Sequence, residues 1–333
     1  MKRLPAEWEK QKCIMITYPH KKSDWKCCLQ EIEKTYIQII KGISKYQKCL
    51  IICDDIKRVK NILDFNQDNL IFANISTNDT WIRDYGAIDL IDKDSVVSYD
   101  FTFNGWGKKF DASLDNLVNQ KLYKKNFFKN SLKKIDFVLE GGSIDSNGDG
   151  VLLTTKKCLL NKNRNPFLSQ EQIEKKLFEY FGLKKILWLK NGGLFGDDTD
   201  SHIDTLARFL NTDTICYVKC YNKDDEHYTE LNKMEKELQQ SGFKLVPIPL
   251  PDPVFYEGER LPATYVNFLF VNNAIILPIY NQKKDKEVIK IFRNFYPNKD
   301  IIPIDASILI REHGSIHCAT MQRYIQPKDI NDS

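Results

Sequence analysis

A chain of 333 residues that is 42% hydrophobic and 28% charged can bury a large core, which excludes a disordered or fibrous protein. Its net charge of +4 is scattered over lysine pairs such as Lys108-Lys109 and Lys283-Lys284, which read as solvated faces. No basic run interleaved with aromatics marks a nucleic-acid binder. No stretch approaches ~18 consecutive apolar residues and the opening segment, through Pro5 and Trp8, has no apolar leader, so neither a membrane span nor a secretory signal is expected.

The elements recur in rounds. Cys13–Tyr18 reads as a buried strand. Trp25–Tyr46 carries Leu29, Ile32, Tyr36, Ile39, Ile40 and Ile43 at helical spacing, and Cys49–Cys53 is a second strand. A short helix over Ile56–Phe65 and a strand over Leu70–Ala73 follow. The next round is a hairpin of Ala87–Ile91 with Ser95–Phe101, a Gly-rich loop around Asn104–Gly107, a helix over Leu114–Leu122 and a strand over Ile135–Glu140. Then come Ser143–Asp145 and Gly150–Thr154. The link between them opens like a calcium loop, but Lys156 stands where a bidentate Glu is required, so a hairpin turn is expected. Ser169 with Gln172 forms a capping box for a helix ending at Gly182, and Lys185–Leu189 is the closing strand. A fourth round comprises Ser201–Ala207, Thr214–Val218, a helix near Asp225–Ser241 and Lys244–Ile248. A fifth comprises Thr264–Phe270, Ala274–Pro278, a helix over Lys284–Phe295 and Ile301–Ile304, and Ser315–Met321 returns as a last strand. Strand, strand, helix, strand at a period of roughly 60 residues marks units that cover one another's cores in a closed ring.

The chemistry gathers late in the chain. Cys318 follows Gly314, Ser315 and His317, a setting in which a thiol becomes a nucleophile if its thiolate is favoured. The alternative is a space-filling cysteine. A zinc site of His313, His317 and Cys318 lacks a second ligand pair at finger-like spacing. The nine cysteines are irregularly spaced, without Cys-x-x-Cys, and a bridge between adjacent Cys27 and Cys28 is strained, so a cytoplasmic, thiol-reduced chain is expected. Upstream, His202 and Asp204 share one face if their segment is extended. Glu140 ends an apolar strand at Gly141-Gly142, where backbone approaches a ligand closely. Asp84 follows Trp81 and Arg83. Carboxylates beside a thiol raise its pKa unless a cation binds among them. A guanidinium fits, because two carboxylates grip its forked donors and Trp81 or Trp106 stacks on its face.

These segments resemble the agmatine deiminase family of the guanidino-group-modifying, or pentein, superfamily. The matching residues are Pro5-Ala-Glu-Trp8, Trp81–Gly86, Glu140–Ser143, Leu159–Pro166, Asp197–Asp200 with His202 and Asp204, Thr264–Phe268 and Ile316–Gln322. They span nearly the whole chain in family order. The resemblance implies a single catalytic domain over residues 1–333, folded as a five-bladed α/β propeller of ββαβ-type repeats. It implies Cys318 as nucleophile, His202 as general acid and base with Glu140 beside it, Asp84 and Asp204 gripping the guanidinium, and Trp81 lining the cleft. It further implies hydrolysis of agmatine through a covalent thiouronium, with no metal or other cofactor and no nucleic-acid or membrane partner; homo-oligomers are common in the family. Ala87 stands where Pro is usual, and Glu312-His313-Gly-Ser replaces a more Gly-rich lead into the cysteine. Alternatives are a bacterial-type peptidylarginine deiminase, an amidinotransferase and a non-catalytic propeller acting as a binding module.

Overall fold

A computed structural model describes residues 2–332. Five small sheets carry most of the strands. Four have one plan: Ile88–Asp92, Ser95–Thr102 and Ser131–Val138; Ile144–Ser146, Val151–Thr155 and Lys185–Leu189; Ala207–Asn211, Thr214–Lys219 and Lys244–Pro249; Leu269–Val271, Ala274–Ile279 and Asp300–Asp305. In each, the first two strands pair antiparallel and the second and third parallel. A parallel pair needs a crossover, and each crossover contains a helix: Val118–Lys124, Gln170–Phe181, Tyr228–Gln239 and Lys283–Phe295.

The fifth sheet joins the two ends of the chain. Thr320–Tyr324 pairs antiparallel with Gln11–Thr17, which pairs parallel with Lys48–Cys53 across the helix Leu29–Ser44, and Leu70–Asn74 adds an edge. That pairing brings residues just before Thr320 beside segments from early in the chain. A two-stranded ribbon, Phe255–Tyr256 with Glu259–Arg260, lies apart from the repeat.

The local chemistry explains the elements. Ile32, Tyr36, Ile39, Ile40 and Ile43 recur at three- and four-residue steps, and all are buried in the core that they share with the strand Lys48–Cys53. Ser169 and Gln172 form the reciprocal capping box, and Gly182 ends that helix in the left-handed conformation. Gly148 and Gly150, at φ 74° and 83°, make the hairpin turn between Ile144–Ser146 and Val151–Thr155. Among the described residues no helix is long and apolar enough to cross a membrane.

Three segments expected as strands are irregular. Ile203–Thr205 is a single 3₁₀ turn and the strand starts only at Ala207. The terminal strand starts at Thr320, and in the fifth unit it starts at Leu269. Backbone groups in these segments pair with a side chain instead of a ladder. Asn267 donates to the Asp204 carbonyl and accepts from the His317 and Cys318 peptide N–H groups. The Ile135–Glu140 strand likewise stops at Val138, whose backbone is bonded on both sides by the Asn165 amide.

Candidate active site

These irregular segments meet. A cavity of about 100 Å³, partly open to solvent, has Cys318, His202, Asp84, Trp81 and Trp106 in its wall. Asp204 and Glu140 are fully buried directly behind it. The Cys318 Sγ lies 3.8 Å from Asp204 Oδ2 and accepts from Asn267 Nδ2 at 3.2 Å. His202 Nδ1 is 3.7 Å from Asp84 Oδ1. The Arg83 peptide N–H donates to the Cys318 carbonyl, tying the Trp81–Asp84 turn to the cysteine loop.

Each group is held from outside the cavity. Asp84 accepts from the Gly142 N–H at 2.9 Å and from Trp106 Nε1 at 2.8 Å. Trp106 adopts a left-handed backbone (φ 53°), a conformation costly for a bulky residue and characteristic of functional sites. Gly142 has no room for a side chain: a Cβ there would lie 2.7 Å from His202 Nδ1, 2.8 Å from Asp84 Oδ1 and 3.1 Å from Asp204 Oδ2. Gly314 is required for a similar reason, because the Trp81 ring packs where its Cβ would stand. The single glycine retained in the lead into Cys318 is therefore the one the packing needs.

Glu140 is not a free carboxylate. Arg164 Nε bonds both its oxygens at 2.9 Å, and the same guanidinium reaches Asp200 Oδ2 and the Thr199 carbonyl. Arg164 and Glu140 side chains are both 0% exposed. Removing one partner of such a pair strands a buried charge. Arg164→Leu is expected to destabilise the fold by about 3–5 kcal/mol, read from the midpoint of chemical denaturation. Among the described residues, Glu140, Cys158 and His202 are the group close enough to share a metal, with ligand atoms within 4.8 Å. The Arg164 cation already occupies the Glu140 oxygens, so this donor set fits a metal poorly.

Burial is the leading electrostatic effect. It raises the Cys318 pKa well above that of an ordinary thiol, and Asp204 and Asp84 add to the rise. Without a bound cation, the sulfur rests as a thiol. Burial lifts Asp84 to about 6, with His202 pulling the other way. Burial opposes charge on His202, but Asp84, Cys158 and Glu140 outweigh it and hold its pKa well above the usual value. Asp204 Oδ1 and His202 Nε2 are among the buried polar atoms that face no hydrogen-bond partner among the described residues. An unsatisfied buried group costs about 1–3 kcal/mol, so a site leaving two of them open beside a cavity is built to have a ligand satisfy them.

Arg164, Asn267 and Cys158 escaped the sequence reading as functional residues. Arg164 and Asn267 stood inside matching motifs without a role, and a residue pairing polar side chains across the fold leaves no periodic signal. His317 was weighed only as a zinc ligand; both its ring nitrogens are instead engaged by carboxylates, Asp204 and Glu7, each at 2.7 Å. Burial and the cations Arg208 and Arg83 push its pKa down, and the two carboxylates oppose them. The net effect holds the His317 pKa below the usual imidazole value.

Known proteins share this architecture. The sequence profile of the Porphyromonas-type peptidyl-arginine deiminase family matches residues 3–323. An agmatine deiminase of Pseudomonas aeruginosa is 31% identical, covering 96% of this chain and 95% of its own. The structure of the C. jejuni agmatine deiminase with substrate bound superposes with a TM-score of 0.95 at 48% identity, over 98% of this chain and 97% of that one. A dimethylarginine dimethylaminohydrolase, 12% identical, superposes with a TM-score of 0.53 over 94% of this chain and 99% of that one, and shows the shared α/β fold of the pentein superfamily alone. With the profile spanning almost its entire length, the chain belongs to the Porphyromonas-type peptidyl-arginine deiminase family.

Proposed function

We propose that this chain is an agmatine deiminase, hydrolysing the guanidinium of agmatine to N-carbamoylputrescine and ammonia. The observation that carries the substrate is the charge of the cavity wall. Asp24, Asp79, Asp198 and Glu312 line it together with Asp84, and among the described residues no arginine or lysine does. Asp24 is exposed and the other three of the outer set are half-buried, whereas Asp84, His202 and Cys318 are buried, so acidic groups extend from the reacting end outward. A substrate with a cation at each end and no carboxylate matches that wall; the α-carboxylate of arginine would meet acidic groups with no arginine or lysine to receive it. The identity with agmatine deiminases across nearly the full chain supports the same reading.

In the mechanism we infer, Asp84 and Asp204 bracket the guanidinium, and its charge cancels their effect on Cys318, so the thiol ionises when substrate arrives. The thiolate attacks the guanidinium carbon and the His202 imidazolium protonates the departing ammonia. A thiouronium remains on Cys318. Neutral His202 then takes a proton from a water that attacks this carbon, and collapse frees the ureido product and the thiolate. Glu140, fixed by Arg164, supports the charge on His202, and Trp81 forms the wall along the alkyl chain.

Supporting observations extend this reading to the whole chain. Four sheets of identical strand order and a fifth closed by the two ends fit a single catalytic domain of five propeller blades. The nine unbridged cysteines support a reducing, cytoplasmic setting.

The test is ammonia release from agmatine, arginine and an arginine-containing peptide. Agmatine is expected to exceed both in kcat/KM by at least about 100-fold; activity confined to the peptide would overturn the substrate. The pH dependence carries a second expectation. Burial lifts Asp79 to about 7 and Asp84 to about 6, so both lose their charge as pH falls through those values. A cation then binds less well, and kcat/KM for agmatine should fall on the acid side between pH 7 and 6. A flat acid limb down to pH 5 would remove the carboxylates from substrate binding.

A further inference from the structure

His317 immediately precedes the nucleophile in sequence but is absent from the wall of the substrate cavity. It faces a separate, smaller cavity lined also by Glu7 and Arg83. Its Nδ1 contacts Asp204 Oδ2 and its Nε2 contacts Glu7 Oε2, each at 2.7 Å, and the residue is only 2% exposed. Glu7 is anchored in turn by the Arg208 guanidinium and by the Phe270 N–H at 2.9 Å. The result is a buried chain of contacts, Arg208 to Glu7 to His317 to Asp204, ending 3.8 Å from the Cys318 sulfur.

This chain divides the labour of the two Asp204 oxygens. Oδ2 is occupied by the imidazole, while Oδ1 is buried without a partner. A carboxylate held at neither oxygen would swivel about its terminal torsion, which is soft and roughly two-fold. The ring itself cannot swivel: turning it over would put carbon where each nitrogen meets a carboxylate.

We propose that His317 is a positioning residue of the deiminase reaction, clamped by Glu7 so that it holds Asp204 with one oxygen free for the guanidinium. The proposal rests on the reading of Asp204 as a substrate-gripping carboxylate. The groups facing Asp204 are His317, His202 and Arg208, which favour its charged form, with Arg83 beyond them; Asp84 opposes it, as does Cys318 once ionised. Burial alone would raise the Asp204 pKa, and the His317 contact is the largest of the influences lowering it. Losing that contact therefore lets Asp204 take up a proton at higher pH, and the charge that binds substrate disappears there.

Two near-isosteric variants separate positioning from structure. The amide nitrogen of Asn stands about where Nδ1 does, and that of Gln about where Nε2 does. His317→Asn keeps the donor to Asp204 and gives up the contact with Glu7; His317→Gln does the reverse. Each loses one buried contact, so similar falls in melting temperature are expected. The expected difference is in KM against kcat for agmatine. His317→Asn should stay within about 5-fold of the wild-type KM, while His317→Gln should raise KM at least about 10-fold with kcat at saturation changed far less. Equal KM values in the two variants would overturn the proposal. If His317→Gln does not fold, Glu7→Gln, which removes the charge opposite Nε2, should raise KM as well, and an unmoved KM would also overturn it. Asp204→Asn run in parallel tells the two failures apart. An unchanged KM there sinks the reading of Asp204 itself; a raised KM with indistinguishable His317 variants sinks only the clamp.

Discussion

Cys318→Ser is expected to bind agmatine with near wild-type affinity and to lose ammonia release by at least about 10⁴-fold. The substitution changes one atom. It leaves Asn267 as a donor at the same place and leaves in place Asp84 and Asp204, the carboxylates proposed to hold the guanidinium. What disappears is an acidic, polarisable sulfur that ionises once the substrate cation offsets the neighbouring carboxylates. A serine hydroxyl has no general base to replace that effect, because His202 is held in its charged form by Asp84, Cys158 and Glu140. Binding is read by calorimetry and turnover by coupled ammonia detection. Ammonia release by the serine variant at a tenth of the normal rate would end the nucleophile assignment.

His202→Asn is expected to lower kcat by about 10²–10⁴-fold while KM stays within a few-fold. His202 is asked to work twice, as the acid for departing ammonia and as the base for incoming water, and both steps slow without it. In the proposed mechanism the substrate's grip depends on Asp84 and Asp204, so binding is expected to be largely spared. The pH profile provides the sharper check. The His202 pKa is raised, so the acid form persists to high pH and activity is lost only as pH rises through that value. In His202→Asn that alkaline limb should vanish. Its persistence would assign the limb to another group and take the acid–base role from His202.

Local pattern was enough to place most of the scaffold. The helix Leu29–Ser44, the capping box at Ser169 and the turn at Gly148–Gly150 follow from side-chain periodicity, short-range hydrogen bonding and the left-handed tolerance of glycine. The segments misread as strands, at His202–Leu206, Thr264–Phe268 and Ser315–Ala319, are those whose backbone is bonded by distant side chains. Each runs directly into a true strand, at Ala207, Leu269 and Thr320, so nothing in the local pattern marked where the ladder begins. The extended geometry invoked for His202 and Asp204 is absent, and a 3₁₀ turn brings the two to the site instead.

By itself the sequence determined the order of elements, the chemical inventory of thiol, imidazole and carboxylates, and the family motifs that contain them. Only the tertiary structure decided which of these groups are already spoken for. Arg164 neutralises Glu140 from 24 positions away, Asn267 donates to Cys318 from 51, and Glu7 clamps His317 from 310. It also decided that several acidic residues, unremarkable in their separate loops, line one cavity to which no arginine or lysine among the described residues contributes. The physical reason is range. Helix and turn signals act within a few residues, while the pKa of a thiol or the free oxygen of a carboxylate depends on burial and on charges that become neighbours only when the chain's two ends share a sheet.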